Sequence, residues 1–288
     1  MTVLACIDRS AYASSVCDHA AWAAGRIATA GGEATVHLVH VVDRSHEPAS
    51  REDLSGNPGI DTPDDLLREI AEAARARDRL SHEAERRLLE AAAARTRAAG
   101  ISHITQHLLQ GELVDELHDH EGAARLIVVG RQGQTADRAP KHLGRNLERV
   151  IRATRRPVLI TPPEMRPIGQ ATFAYDGSQS SGAAVRFLVQ SRLLAGIRMR
   201  VLAVDDDVLK AQDRLADANA QLVHAGIDAT AVVRSGVASD AIADQVRDSG
   251  SDLLVMGAYG HSQLRQFIVG STTTAVLRST SVATLVVR

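Results

Sequence analysis

The 288-residue sequence predicts two α/β domains in tandem, each a five-stranded parallel sheet with helices on both faces. Three observations carry this prediction. Short β-branched runs alternate with Ala-rich stretches of helical periodicity, the pattern of strands buried on both sides. The order of elements over residues 1–163 returns over 170–288. Between the copies lies Thr161-Pro162-Pro163-Glu164-Met165-Arg166-Pro167, a short and stiff Pro-rich connector.

The elements follow in order. Val3-Leu4-Ala5-Cys6-Ile7-Asp8-Arg9-Ser10 and Ala171-Thr172-Phe173-Ala174-Tyr175-Asp176-Gly177-Ser178 each read as a strand ending in Asp, then a small polar residue suited to cap a helix. Ala-rich amphipathic stretches follow at 11–29 and 179–195. Second strands are expected at 35–43 and 199–205. The first copy then carries an insertion at about 44–63, rich in Pro, Gly, Asp and Ser, which reads as a loop. A long Glu/Arg-rich helix over 65–99 comes next; the second copy has only a shorter helix over 208–225. Arg125-Leu126-Ile127-Val128-Val129-Gly130 matches Asp252-Leu253-Leu254-Val255-Met256-Gly257, and Pro157-Val158-Leu159-Ile160 matches Ala283-Thr284-Leu285-Val286-Val287. Each copy thus reads as a Rossmann-like or flavodoxin-like layer with right-handed crossovers.

Composition excludes several classes of function. A formal net charge of −2 provides no global field toward nucleic acid or an anionic membrane. Arginine is spread along the chain, and aromatics at 2% leave few platforms for stacking bases. No apolar run reaches the ~18 residues that span a bilayer. Cys6 and Cys17 are too few for a disulfide framework, so a reducing, cytoplasmic location is expected. Both cysteines read as inert packing residues.

The chemistry concentrates in the second copy. Gly257-Ala258-Tyr259-Gly260 is followed by nine residues and then Gly270-Ser271-Thr272-Thr273. The stretch starts at the carboxyl end of the fourth strand, directly after Met256, where open α/β sheets place their ligands. Glycines let the backbone turn sharply and approach a ligand closely. Gly270 opens a helix whose first N–H groups lack partners and whose dipole is positive, so it offers an anion site. The hydroxyls of Ser271, Thr272 and Thr273 add donors for phosphate oxygens. The plainer alternative is that Ser271 caps the helix and the glycines only turn the chain. No Lys follows Gly270, so this is not a Walker loop. It follows a fourth strand, so it is not the dinucleotide fingerprint either.

With Asp ending the first strand and Gly-x-x-Gly, nine residues, Gly-Ser after the fourth, the sequence resembles the universal stress protein family. The resemblance covers both copies and implies adenine nucleotide alpha hydrolase-like domains. It implies that this loop cradles the phosphates of ATP or ADP, that Asp176 lies near the nucleoside, and that backbone at Val204 reads the adenine. The implied set is Asp176, Val204, Met256, Gly257, Gly260, Gly270, Ser271, Thr272 and Thr273. Asp205-Asp206-Asp207 can hold a hydrated Mg²⁺ beside the phosphates; the simpler reading has the run charging the next helix N-terminus. The family further implies that the last strands, Val158-Leu159-Ile160 and residues 282–287, pair into an intramolecular pseudo-dimer. A homodimer is a further expectation.

The first copy departs from the pattern. Gly130-Arg131-Gln132-Gly133 is followed by ten residues before Gly144-Arg145-Asn146, one more than in the second copy, and Arg stands in place of Ser. A bulky guanidinium and a shifted loop degrade the anion site, although Arg145 can instead pair with phosphate. Asp8 and Val41 occupy the family positions there. Ten of the twelve histidines lie in this copy, but His103, His107, His118 and His120 follow no zinc spacing and read as surface or edge residues. No nucleophile is paired with a base. The expected function is a stress-response regulator binding ATP or ADP in its second copy. The alternatives are an interaction scaffold with empty sites and a slow adenine-nucleotide hydrolase.

Overall fold

A computed structural model describes residues 2–28, 32–42, 64–133, 145–258 and 271–288. The first domain runs β1 (Thr2–Cys6), α1 (Ala13–Ala28), β2 (Thr35–Val42), α2 (Asp64–Ala98), β3 (His103–Gln110), α3 (Leu113–His120), β4 (Ala124–Gly130), α4 (Arg145–Ala153) and β5 (Val158–Thr161). The second repeats it with β6 (Gln170–Ala174), α5 (Gln179–Ser191), β7 (Arg198–Val204), α6 (Val208–His224), β8 (Asp228–Arg234), α7 (Ala238–Ser249), β9 (Leu253–Gly257), α8 (Ser271–Ser279) and β10 (Ala283–Val287). The insertion at about 44–63 lies outside the described residues.

All ten strands form one sheet in the order β3-β2-β1-β4-β5-β10-β9-β6-β7-β8. Pairing is parallel within each domain and antiparallel at the seam, where Ile160, Leu159 and Val158 face Thr284, Leu285 and Val286. The pseudo-dimer is therefore a continuous sheet. Side-chain alternation along each strand divides the core into two layers. Leu159 and Leu285 join α1, α2, α5 and α6 on one face. Val158 and Val286 join α3, α4, α7 and α8 on the other. Central strands are buried, as with ATLVV in β10, whereas the edge strands β3 and β8 mix exposed and half-buried residues. Polar edges of this kind discourage pairing with other chains.

Helix boundaries follow local chemistry. Ser178 caps α5 and Asp207 caps α6, each accepting an N–H from three residues on. α5 stops at Ser191, short of the expected 195, because Arg192 turns left-handed at φ 54°. Gly250 ends α7 in the same way at φ 64°, a conformation that favours glycine. The 35-residue α2 is about 50 Å long. Only its C-terminal part packs, through Glu85, Leu89, Ala92, Ala93 and Thr96. Among the described residues no helix is long and apolar enough to cross a membrane.

Candidate functional site

In each domain the strand order reverses between the first and fourth strands, β1/β4 and β6/β9. Ligand crevices of open α/β sheets lie beyond the carboxyl ends at such a switch point. The predicted residues of the second domain converge there from four elements. Asp176 lies two residues beyond β6, Val204 ends β7, Met256 and Gly257 end β9, and Ser271, Thr272 and Thr273 open α8. Gly260 and Gly270 lie outside the described residues, as does the Ser271 side chain.

The local chemistry assigns several of these residues a definite role. Asp176 Oδ1 accepts the Ser178 N–H at 2.9 Å, turning the chain into α5. Thr273 is buried, and its hydroxyl donates to the Ala258 carbonyl at 3.1 Å. Ala258 N–H in turn donates to Val287 at 2.7 Å. The two ends of the 257–271 stretch are thus tied to one another and to β10. Thr272 is exposed. Met256 is buried in the core, with Val204 packed against the same cluster.

Gly257 is there for a reason the sequence did not disclose. Its φ lies outside the left-handed region, so no sharp turn demands glycine. A Cβ would instead stand 2.4 Å from Ser180 Oγ and 3.0 Å from the Ser181 nitrogen. The missing side chain lets the first turn of α5 approach β9. Gly130 plays the same part against Tyr12, at the position of the first domain that corresponds to Ser180.

Arg214 of α6 was not anticipated. It donates to the Asp176 carbonyl at 3.4 Å and to the Asp205 carboxylate, spanning the mouth of the crevice. The Asp207 N–H, then Arg214, hold the Asp205 carboxyl below its ordinary range. The Arg214 chain also lies over Gly177, where a Cβ would be 2.9 Å away. No local motif marks such a residue, because it arrives from a helix 38 positions later.

The first-domain crevice holds a pocket of about 120 Å³, lined by Asp8, Val41, Gly130, Gln132, Gly133 and Asn146 among others. Asp8 Oδ1 accepts the Ser10 N–H at 3.0 Å, as Asp176 does for Ser178. Gly144 and the Arg145 side chain lie outside the described residues. Beside the pocket is a buried polar group also missed from sequence. His40 Nδ1 meets the Ile7 carbonyl at 2.7 Å and Nε2 meets Glu85 at 2.6 Å, while Arg9 donates to the same carboxylate. Both imidazole nitrogens therefore face oxygen, and Glu85 is held by the ring and by Arg9 together.

The remaining chemistry is quiet. Burial, then Asp8, pushes the Cys6 thiol up to about 12. Burial pushes Cys17 up to about 11. His107 lies 5.8 Å from His37 and 5.5 Å from His120, ring centre to ring centre. Among the described residues no group of three His, Cys, Asp or Glu can hold a metal ion.

Comparison with known proteins agrees with this architecture. The model of the universal stress protein family matches residues 1–162 and again 169–288. The universal stress protein Slr1230 of Synechocystis is 34% identical over 289 residues, covering 99% of both chains. A universal stress protein from Archaeoglobus fulgidus superposes with a TM-score of 0.65 at 19% identity, over 100% of this chain and 96% of its own. PA1789 of Pseudomonas aeruginosa, described as functionally unknown, gives 0.59 at 14% identity, over 99% and 92%. With two matched domains over nearly its whole length, the chain belongs to the universal stress protein family, as a tandem member.

Proposed function

We propose that the second domain binds ATP or ADP and that the protein acts as a nucleotide-responsive stress regulator of the cytoplasm. One observation carries the reading. The unbroken spacing of Gly257, Gly260, Gly270 and Ser271 starts at the end of β9 and leads into the N-terminus of α8, at the switch point beside Asp176. Free N–H groups and the helix dipole at that terminus suit phosphate. The described residues fit the group through Thr272, which is exposed at the start of α8, whereas the buried Thr273 hydroxyl is committed to the Ala258 carbonyl instead of being a phosphate donor. When bound with a nucleotide, Mg²⁺ would offset phosphate charge. Within the nearby run Asp205 pairs with Arg214 and Asp207 caps α6, so the exposed Asp206 is the carboxylate that would hold the ion.

Phosphoryl transfer needs positioned positive charge at the attacking and leaving oxygens. Hydroxyls and amides bind phosphate without supplying that charge, so turnover is expected far below the ordinary ~1–10³ s⁻¹. The test is mass spectrometry of small molecules released from purified protein, then calorimetric titration with ATP. Gly270→Val should abolish binding while the melting temperature stays near wild type. A folded variant with unchanged affinity refutes this loop as the phosphate site.

A further inference from the structure

Arg131 follows Gly130 in the first domain's loop, but its guanidinium leaves that domain. It donates to the carbonyls of Leu277 at 3.1 Å and Val282 at 2.8 Å, and to that of Thr280. These groups lie in and just beyond the last turn of α8, where helix carbonyls lack intrahelical partners. The antiparallel seam explains the reach. The end of β5 lies beside the start of β10, so the end of α8 abuts the first domain's crevice. Three carbonyls hold one cation at the negative end of the helix dipole. Its Nε is buried, and among the described residues it has no hydrogen-bond partner.

The grip is one-sided. Arg131 N–H donates to Thr161 as Ala258 N–H does to Val287, so the two residues are equivalent. Alanine at 258 has nothing to extend across the seam. In the other direction, among the described residues, Arg288 reaches the Arg152 carbonyl near the end of α4.

The helix held in this way is the one that opens at the second domain's loop. At its N-terminal end Thr273 bonds Ala258, and the Arg131 grip begins four residues on, at Leu277. We propose that Arg131 is a positioning residue for the second-domain site: by holding the far end of α8 it couples the first domain's 130–133 loop to phosphate affinity in the second. Any ligand that moves residues 130–133 of the first-domain pocket moves this grip, and the coupling is reciprocal. The affinity part of the proposal rests on the nucleotide reading above; the mechanical part does not.

The experiment uses the full chain, with NMR amide exchange and ATP calorimetry on Arg131→Met, Arg131→Lys and Arg288→Met. Loss of the grip should speed exchange at Ala275 and Ala258, beyond its own contacts, and weaken ATP about fivefold, the low end of coupling between sites. Arg131→Lys, which keeps the charge without the three-pronged geometry, should fall between and serves if the Met variant does not fold. Arg288→Met should change neither readout. Faster exchange confined to residues 280–282, with unchanged affinity, overturns the proposal and leaves nucleotide binding standing. Faster exchange at Ala275 and Ala258 in a protein that binds no ATP supports the coupling and refutes the nucleotide reading instead.

Discussion

Gly257→Ala is the most direct probe of how the second crevice is built. The new methyl would lie 2.4 Å from Ser180 Oγ, 3.1 Å from Ser180 Cβ and 3.0 Å from the Ser181 nitrogen. A serine hydroxyl can rotate away, but the Ser181 nitrogen belongs to the backbone of α5. Either α5 or the end of β9 must therefore shift by a few tenths of an ångström. Overpacking of this kind costs about 1–3 kcal/mol. For a chain of this size, that lowers the melting temperature by roughly 2–5 °C.

A double-mutant cycle isolates the contact. Ser180→Gly removes both side-chain atoms and leaves only the backbone nitrogen, so in that background Gly257→Ala should cost about half as much. The assay is urea unfolding followed by far-UV circular dichroism on all four proteins. Equal costs in both backgrounds would show that Ser180 is not what Gly257 accommodates. Wild-type stability of the single variant would remove the close approach altogether. Displacing the α5 turn also disturbs the Asp176–Ser178 bond at its start, so ATP affinity should fall with stability here. That is the reverse of Gly270→Val, and the contrast separates the glycine that packs from the glycine proposed to bind.

Three further outcomes are expected. With their thiols raised to about 12 and 11, Cys6 and Cys17 should resist iodoacetamide at about pH 8 until the protein unfolds. Raised folded values mean that their contribution is complete below the ordinary 9.0 and is lost as pH climbs toward 11–12, so the urea midpoint should fall across that window; a flat midpoint contradicts the burial. Glu85→Ala strands the buried His40 and the partly exposed Arg9, and should cost about 3 kcal/mol in urea unfolding; a loss under about 1 kcal/mol would mean the trio is not a buried unit. Leu285→Ala, at the fully buried centre of the seam, should cost about 2–5 kcal/mol and lower a single calorimetric transition, whereas two separate transitions would show that the seam does not unite the domains.

The fold was legible because it rests on local and repeated signals. Asp8 and Asp176 mark equivalent strand ends, and the runs at Leu126–Val129 and Leu253–Met256 are too continuously apolar for one-sided strands. Seam pairing followed from the family resemblance and not from any property of Val158 or Val286 alone. The loop spacing on which the proposed site rests is legible in the same way, since it is a local pattern. What remained hidden depends on distance in sequence. Arg214 meets Asp176 from 38 residues away, His40 meets Glu85 from 45, and Arg131 meets Leu277 from 146. From its spacing Gly257 reads as a residue that turns the chain and admits a ligand, whereas what its missing side chain admits here is Ser180 of α5, which no spacing rule records.

Joining two copies in one chain changes what each can become. A symmetric pair of identical subunits repeats every contact about its axis, so a residue at the position of Arg131 would have to appear twice. Here that position is Arg131 in one domain and Ala258 in the other. Because the seam is antiparallel, the two crevices open at opposite ends of one sheet, each beside the end of the other domain's last helix. A substitution in the first domain's loop therefore acts at close range on the second domain's helix, even where it harms its own anion site. On that geometry, the longer spacer and the lost serine near Arg145 need not reflect simple decay. With its own loop spacing altered, the first domain still holds α8 through Arg131, and the second domain keeps the Gly257, Gly260, Gly270 and Ser271 spacing that leads into that helix.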